Sequence, residues 1–565
     1  MIWSADFETT TDVNDCRVWA WCVCEVGNID NMFYGNNIET FIEFMRINQG
    51  EYYFHNLAFD GEFILHYLLN NGFTYSDNAQ TNTFKTLISA MGKFYQIDIC
   101  FKKQGKKKKQ HAVLKDSLKK LPMKVSAIAK SFNLPISKLE IDYKQYRPIG
   151  HELTQEEKEY IKNDVQIVAL ALEHQFKEGL DRLTIGSDAL NIYKYTNIGE
   201  NRWKKFFPIL TIEMDALIRQ SYKGGWTYAN PKFQNKIQGT GSVYDVNSLY
   251  PDVMYNRPLP YGVPVYYHGK YKPNNEYPLF IQFITCSCKL KDGFLPILQI
   301  KNSPFYSQTE YLTETDIVDL ALTSVDYELL FTHYDVTVFG YKGGFMFKQA
   351  TGLFDEYIDY WSEIKANNKG GKRQIAKLML NSLYGKFATN PDVTPKLPYL
   401  KEGNCVGYKL GKQELRQPIY TPIGCFITAW ARYKTITTAQ SVYDRFMYAD
   451  TDSIHVLGTE PVDNIEVHPT RLGAWKHESN FSRALYIRAK AYMEEITQEG
   501  EMVNGDYVMV DVEPYQDVKC AGLPQELKKF VTFDNFKSGL CIGGKLRPVH
   551  CEGGIVLKET TFTMK

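Results

Sequence analysis

Several features are missing from this chain. No C-x-x-C pair occurs among its eleven cysteines, so a tetrahedral zinc site has no tetrad to draw on. Cys22/Cys24 and Cys286/Cys288 are C-x-C pairs and the others are scattered. An odd, dispersed set reads as a reduced, cytosolic protein without structural disulfides. The first ten residues carry Asp6 and Glu8 and no basic stretch, which argues against a secretory leader. The longest uncharged run, Gln417 to Ala431, has 15 residues and two prolines, too short and too broken to span a bilayer. Net charge is absent: 65 basic residues balance 65 acidic ones, so a polyanionic partner is neither favoured nor excluded and charge must be read locally. There is no internal repeat. There is also no P-loop. The nearest string, Gly539-Leu-Cys-Ile-Gly-Gly544-Lys545-Leu546, lacks the Ser/Thr that ligates Mg²⁺, which removes an ATP-driven motor.

What is present is a globular chain of 565 residues, about four domains at roughly 150 residues each. Apolar and charged shares of 44% and 23% are ordinary, and 14% aromatics exclude wholesale disorder. The first 180 residues alternate short β-rich runs (Ile2 to Asp6, Tyr52 to His55) with helical periodicity (Gly61 to Asn70, Glu156 to Phe176), which predicts an α/β domain. Thr154 and Glu157 form a capping box opening the second helix. The alternation weakens near Gly186, where a boundary is placed. Lys102 to Lys130 holds eleven lysines and one acid, with Lys106 to Lys109 following Gly105 as the tip of a hairpin. Lys365 to Lys386 holds six basic residues and no acid. Each run reads either as a solvated face or as a surface for a phosphate backbone.

Asp6 and Glu8, two apart on a strand, share one face. Asp60 starts a helix, and Asp164 lies one turn after Tyr160 on the capped helix. Any one of these acids alone reads as a cap or a surface charge. Four acids from three segments are what a site for two Mg²⁺ ions about 4 Å apart requires, and a Tyr one turn from an acid can orient a water. Asp6-Phe-Glu8, Asn56-Leu-Ala-Phe59-Asp60 and Tyr160-Ile-Lys-Asn-Asp164 resemble the three motifs of the DEDD 3′-5′ exonucleases, which have an RNase H-like fold. The resemblance implies metal binding by the four acids and placement of the attacking water by Tyr160. It further implies that Thr9, His55, Asn56, Phe59, Phe63, Ser117 and Leu118 hold a frayed single-stranded end, and that Lys138 assists. Phe59 and Phe63 read equally well as core.

A second acidic set follows. Val243-Tyr-Asp245-Val-Asn-Ser248-Leu249-Tyr250-Pro251 is an apolar strand ending in an acid, then a turn ending in Pro. Phe446-Met-Tyr448-Ala-Asp450-Thr451-Asp452-Ser453-Ile-His455 is an acidic turn between β-prone runs. A hairpin presenting Asp450 and Asp452 beside Asp245 would hold two divalent ions, a triphosphate and an activated primer hydroxyl; alone it reads as an Asx-rich turn. Between them, Arg373, Lys377, Asn381 and Tyr384 form one stripe of a helix, with Lys365 upstream, and the stripe suits triphosphate oxygens. A merely solvated basic helix does not account for Leu378-Met379-Leu380.

These segments resemble motifs A, B and C of family B DNA polymerases. Tyr222-Lys-Gly224-Gly225, Thr421-Pro-Ile-Gly424, Ala429-Trp-Ala-Arg432 and Lys490-Ala-Tyr492 also match. Order and spacing are similar to the protein-primed replicases of small tailed phages, the phi29-like type, over essentially the whole chain. The resemblance implies an α/β and α+β multidomain enzyme: exonuclease domain 1–185, palm 186–256 and 421–520, fingers 353–388 and thumb 521–565. It places one insertion, 257–352, against the priming protein. The other, 389–420, reads as a β-hairpin with turns at Gly403 and Gly411, and would close a ring round the template for strand displacement and processivity.

The same resemblance makes Asp245, Asp452 and the Val246 carbonyl metal ligands, with Asp450 and Asn381 supporting. Lys365, Arg373, Lys377 and Tyr384 would face the nucleotide and Tyr250 would lie under its sugar. Lys490 and Tyr492 would hold the primer end, and Tyr222, Gly224 and Gly225 would couple the two sites on DNA. Arg373 departs from the lysine of a well-known relative and keeps the charge while allowing bidentate contact. Expected cofactors are two Mg²⁺ per site, with Mn²⁺ able to substitute. Expected partners are primer-template DNA, dNTPs, a terminal protein in a heterodimer, and viral single-strand and double-strand DNA-binding proteins, in the cytoplasm of an infected bacterium and with no membrane. The rivals are a stand-alone exonuclease, which predicts loss of Asp245 or Asp452, and a non-catalytic DNA-binding scaffold, which predicts erosion of both acidic sets. All of these acids are present.

Overall fold

The computed structural model describes residues 1–104, 108–301 and 303–564. Its N-terminal part is an eight-stranded sheet in the spatial order Asn28–Gly35, Val18–Glu25, Ile2–Thr9, Gly50–Phe54, Lys108–Asp116, Phe94–Gln104, Thr83–Ile88, Thr74–Tyr75. The three central strands run parallel. Alternation along Ile2–Thr9 divides its side chains. Trp3, Ala5 and Phe7 enter one core with Phe41, Phe54 and Leu57 from the helices Ile38–Ile47 and Leu57–Asn70 and the strand before the latter. Ser4, Asp6 and Glu8 fall on the opposite face. That face is covered by the helix Gln155–Lys177, whose Tyr160, Ile161, Val165 and Ala169 pack on Trp19, Ala20, Cys22 and Cys24. The helix opens with the expected capping box, Thr154 and Glu157 satisfying each other's backbone amides.

Three local readings shift. The helix expected from Gly61 begins at Leu57, so Asp60 lies in its first turn. Gly186 sits inside the helix Ile185–Ile192, and Asp188 of that helix pairs with buried Lys120 at 2.6 Å, so this segment is tied to the turn that follows the strand Lys108–Asp116. The turn expected to end at Pro251 is already helix from Leu249; proline is tolerated there because a first-turn amide has no acceptor. Of the lysine hairpin, Gly105, Lys106 and Lys107 lie outside the described residues; the flanking strands pair with Gln104 opposite Lys108.

The second body is a seven-stranded antiparallel sheet ordered Asp506–Cys520, Ala491–Val503, Trp475–Arg488, Gly241–Val246, Ser453–Leu457, Phe446–Asp450, Thr227–Ala229. The uncharged run of the sequence is the start of its backing helix, Thr421–Ser441, most of which is buried. A four-stranded sheet (Leu259–Tyr267, Tyr334–Ala350, Leu279–Leu290, Glu314–Thr323) with the helix Ser324–His333 separates the two acidic segments. The helices Asp355–Asn367 and Gly370–Phe387 follow. Lys396–Lys401 and Cys405–Leu410 form the expected hairpin, turning at Gly403; Gly411 lies just past its second strand.

The hairpin bridges distant parts of the chain. Tyr408 donates to Glu62 of the helix Leu57–Asn70 at 2.7 Å, and Glu62 also faces His550 of the last β-hairpin at 3.4 Å. Asn404 donates to Glu552 of that last hairpin at 2.9 Å. Gly553 and Gly554 press against the first domain so closely that a Cβ would lie 1.9 Å from the Cys16 carbonyl and 2.6 Å from the Phe63 ring.

Candidate active sites

In the first site, Asp6, Glu8, Asp60 and Asp164 converge between the sheet and the capped helix. Burial pushes the Asp6 carboxyl up to about 7, and Asp164 adds to it. Burial, then Asp6 and Asp164, holds Glu8 well above the carboxylate range; burial and Asp6 do the same to Asp60. Burial also raises Asp164. The Oδ1 atoms of Asp60 and Asp164 are buried without a hydrogen-bond partner. Four crowded acids with unsatisfied oxygens are short of positive charge, which fits a dication. Among the described residues they are not drawn into a closed cage of metal ligands. Asp164 is instead paired with the Lys138 ammonium, which also donates to the Tyr160 hydroxyl at 3.2 Å.

Sequence reasoning missed two residues here. Tyr143 lies in coil without periodicity, and its hydroxyl meets that of Tyr160 at 2.5 Å. Asp116, hidden in the lysine-rich stretch, accepts the backbone amides of Asn56 and Leu118 at 3.1 and 3.0 Å and so anchors the loop beside the acids. Asn56 itself is left-handed at φ 81°. His55 is fully engaged, with Ser117 Oγ at 3.0 Å and the Met123 carbonyl at 2.7 Å. Ser117 is wholly buried and also donates to the Phe54 carbonyl. Thr9 and Phe59 are half-buried at the edge of the site, whereas Phe63 belongs to the core, under Gly554.

In the second site, Asp245 stands one residue before the end of its strand, opposite Ser453, and the Val246 amide donates to the Asp452 carbonyl at 2.8 Å. Burial, then Asp452 and Glu478, lifts Asp245 to about 8; burial also raises Asp452. Glu478, on the neighbouring strand, is an acid that the motif reading did not single out. Thr451, between Asp450 and Asp452, is held at φ 68°, strained for a β-branched residue. Asp450 is already engaged by Thr227 Oγ1 at 2.9 Å and Lys490 Nζ at 2.6 Å. Gly225 lies against Thr451 so closely that a Cβ would come within 2.6 Å of it. The carbonyls of Lys223 and Gly224 accept from Arg432 at 2.8 Å, and Arg432 is clamped on buried Asp326. The Tyr222 segment is thereby fixed to the acidic hairpin.

A cavity of about 820 Å³ opens from Asp245, Val246 and Asp452 to Lys365, Arg373, Lys377, Asn381 and Tyr384. Burial and the two neighbouring cations lower the Lys365 ammonium below its usual range. Tyr250 and Tyr384 stack at 4.0 Å and 18° as its floor. A second cavity of about 720 Å³ runs from the same acids past Lys490 and Tyr492. No helix of the described residues is long and apolar enough to cross a membrane.

Two acidic centres, one largely buried on an α/β sheet and one half-buried on an antiparallel palm beside a cationic cavity, define a polymerase with an exonuclease domain. The chain belongs to the family of DNA polymerase type B, organellar and viral, whose model matches residues 42–468. Within it the chain is of the phi29 type, a replicative DNA-directed DNA polymerase. It is 50% identical to the DNA polymerase of Bacillus phage B103 over 100% of this chain and 99% of that one. Phi29 DNA polymerase complexed with primer-template DNA superposes with a TM-score of 0.95 at 49% identity, and its complex with primer-template DNA and incoming nucleotide with 0.94 at 49%; both cover all of each chain.

Proposed function

We propose that this polymerase extends a primer from dNTPs on its antiparallel palm, trims mispaired 3′ ends in its N-terminal domain, and is started by a terminal protein. The observation that carries the reading is the pair of separate carboxylate sets, one largely buried beside a hydrogen-bonded tyrosine and one half-buried beside a cationic cavity. Asp6, Glu8, Asp60 and Asp164 would hold two Mg²⁺ in the first site, and Asp245, Asp452 and the Val246 carbonyl two in the second, with Mn²⁺ able to substitute. Such ions supply charge neutralisation and a nucleophilic oxygen at neutral pH.

The chain's own groups do the rest. Tyr160, held by Tyr143 and Lys138, orients the attacking water over a 3′ end lodged along Thr9, Asn56, Phe59 and Leu118. His55, Ser117 and Phe63 support that wall from within. Lys365, Arg373 and Lys377 neutralise triphosphate oxygens. Tyr250 and Tyr384 form the floor beneath the sugar, and Asn381 supports it. Lys490 and Tyr492 hold the primer end, with Asp450 steadying Lys490. Tyr222, Gly224 and Gly225 carry DNA between the sites. Residues 257–352 meet the terminal protein and 389–420 surround the template. Primer-template DNA is a partner, viral single-strand and double-strand DNA-binding proteins are further ones, and the setting is the cytoplasm of the infected host.

The test is template-directed incorporation with and without a candidate terminal protein, in Mg²⁺, in Mn²⁺ and in chelator. Extension of a DNA primer in either metal, none in chelator, and nucleotide attached to the terminal protein are expected. Incorporation that survives chelation would overturn the metal assignment. A candidate drawn from the same genome that receives no nucleotide would overturn the priming assignment.

A further inference from the structure

Beneath the primer-end residues lies a buried, hydrogen-bonded imidazole–carboxyl pair that the mechanism does not use. His455 is three residues beyond Asp452 on Ser453–Leu457, and Glu494 is two beyond Tyr492 on Ala491–Val503. Both are 2% exposed. His455 Nδ1 donates to Glu494 Oε1 at 2.6 Å, and the Tyr486 hydroxyl donates to the same oxygen at 2.6 Å. Three tyrosines surround the pair. Tyr448 stacks on Tyr486 at 5.4 Å, and Tyr492 meets Tyr448 at 4.7 Å and His455 at 5.1 Å.

This cluster ends at Lys490. The Tyr448 hydroxyl accepts the Lys490 amide at 2.9 Å, and the Lys490 carbonyl accepts from Ala521. Between these bonds Lys490 is held at φ 59°, a conformation a lysine seldom adopts unless its surroundings impose it. The same residue places its ammonium on Asp450. A buried carboxylate and imidazole are costly as packing alone, since an apolar pair would fill the space as well. What they add is direction: one oxygen ties the hairpin strand to the strand that carries Tyr492 and, through the tyrosines, to Lys490.

We propose that the His455–Glu494 pair is a positioning device for the primer end, locking the Tyr448–Tyr486–Tyr492 floor so that Lys490 and Tyr492 stand in register with the acidic hairpin. This rests on the reading of Lys490 and Tyr492 as the primer-end residues. The experiment uses the full-length enzyme and measures KM for primer-template, KM for dNTP, degradation of single-stranded DNA, and thermal melting. Lys490→Ala comes first: if it leaves KM for primer-template unchanged, the primer-end reading itself fails.

His455→Leu with Glu494→Leu removes the pair while refilling its volume. The expected result is a rise of about tenfold in KM for primer-template, equivalent to about 1.4 kcal/mol, with KM for dNTP and single-strand degradation unchanged. In the Lys490→Ala background the same double change should add less than twofold, since both act on one contact. Glu494→Gln keeps an acceptor for Tyr486 and His455 and should restore most of the affinity. A leucine pair with normal KM for primer-template, or effects that multiply with Lys490→Ala, would reduce the pair to core packing and overturn the proposal. If the leucine pair melts early and loses single-strand degradation, Glu494→Ala takes its place in the same cycle, judged by the same non-additivity and by rescue with Glu494→Gln.

Discussion

Tyr408→Phe tests whether the hairpin of residues 396–410 is clasped to the rest of the molecule by one hydrogen bond above all. The substitution removes a single oxygen. The ring stays, still edge-on to Phe94 at 6.0 Å, and Glu62 keeps His550 at 3.4 Å. What goes is the 2.7 Å bond to a carboxylate that is 2% exposed. A hydrogen bond to a charged group contributes about 1.5–3 kcal/mol, and a middle value of about 2 kcal/mol makes the unclasped hairpin about thirtyfold more populated. Asn404, bonded to Glu552 at 2.9 Å and through its carbonyl to His66 at 3.1 Å, and buried Val406 still resist, so opening is local rather than complete. The assay is extension on a primed circle with a heparin trap. Products should shorten markedly and stall at downstream duplex, while filling of a short gap and degradation of single strands stay normal. Full-length displacement products from the variant under the trap would refute the clasp and leave the hairpin without a part in processivity.

The clasp should also depend on pH. Glu62 raises the His550 imidazole above its usual 6.5, against smaller opposing effects of burial and then Lys401. A raised folded value stabilises fully below 6.5, and the contribution fades as pH climbs through that value. Trapped product lengths should therefore fall with rising pH in the parent enzyme and respond far less in His550→Gln. Asp6→Ala with Glu8→Ala should abolish 3′-5′ degradation and spare synthesis, Asp452→Ala should do the reverse, and loss of both activities in the first variant would sink the two-site assignment. Tyr250→Val should admit ribonucleotides by opening the floor it shares with Tyr384; an unchanged ribonucleotide ratio in gel-based extension would count against the steric role. Replacing Asp392 to Arg416 by a short glycine linker should spare gap filling and stop synthesis at duplex, where a base-pair step costs on the order of 1.4 kcal/mol to open; undiminished displacement by a folded deletion would argue otherwise.

Features with a short period or a fixed local grammar were legible in the sequence. Asp6 and Glu8 share a face because strands repeat every two residues, Tyr160 and Asp164 because helices repeat near four, and Thr154 announces its helix through Glu157. The acidic hairpin of Asp450 and Asp452 and the stripe from Arg373 to Tyr384 are local in the same sense. What escaped depends on contacts between remote segments. Nothing near Tyr143 predicts its contact with Tyr160, and Asp116 is masked by the lysines around it. Phe63 carries the same periodicity whether it faces DNA or a hairpin nearly five hundred residues away; Gly554 makes it core. Strand alternation stops near Gly186, and the Lys120–Asp188 pair that ties its helix to the turn after Lys108–Asp116 leaves no mark in that alternation.

The press of Gly553 and Gly554 on Cys16 and Phe63 has a consequence for how the molecule is made. The Gly553 amide also donates to His66, across a separation of 487 residues. At roughly 5–20 residues per second, synthesis leaves an interval of about 25 to 100 s between the appearance of the two partners. The N-terminal domain can fold early around its own sheet, but the surface around Phe63 stays wet until the hairpin carrying Gly553 and Gly554 has left the ribosome. The outer face of this N-terminal domain is therefore finished only after nearly five hundred further residues have been added.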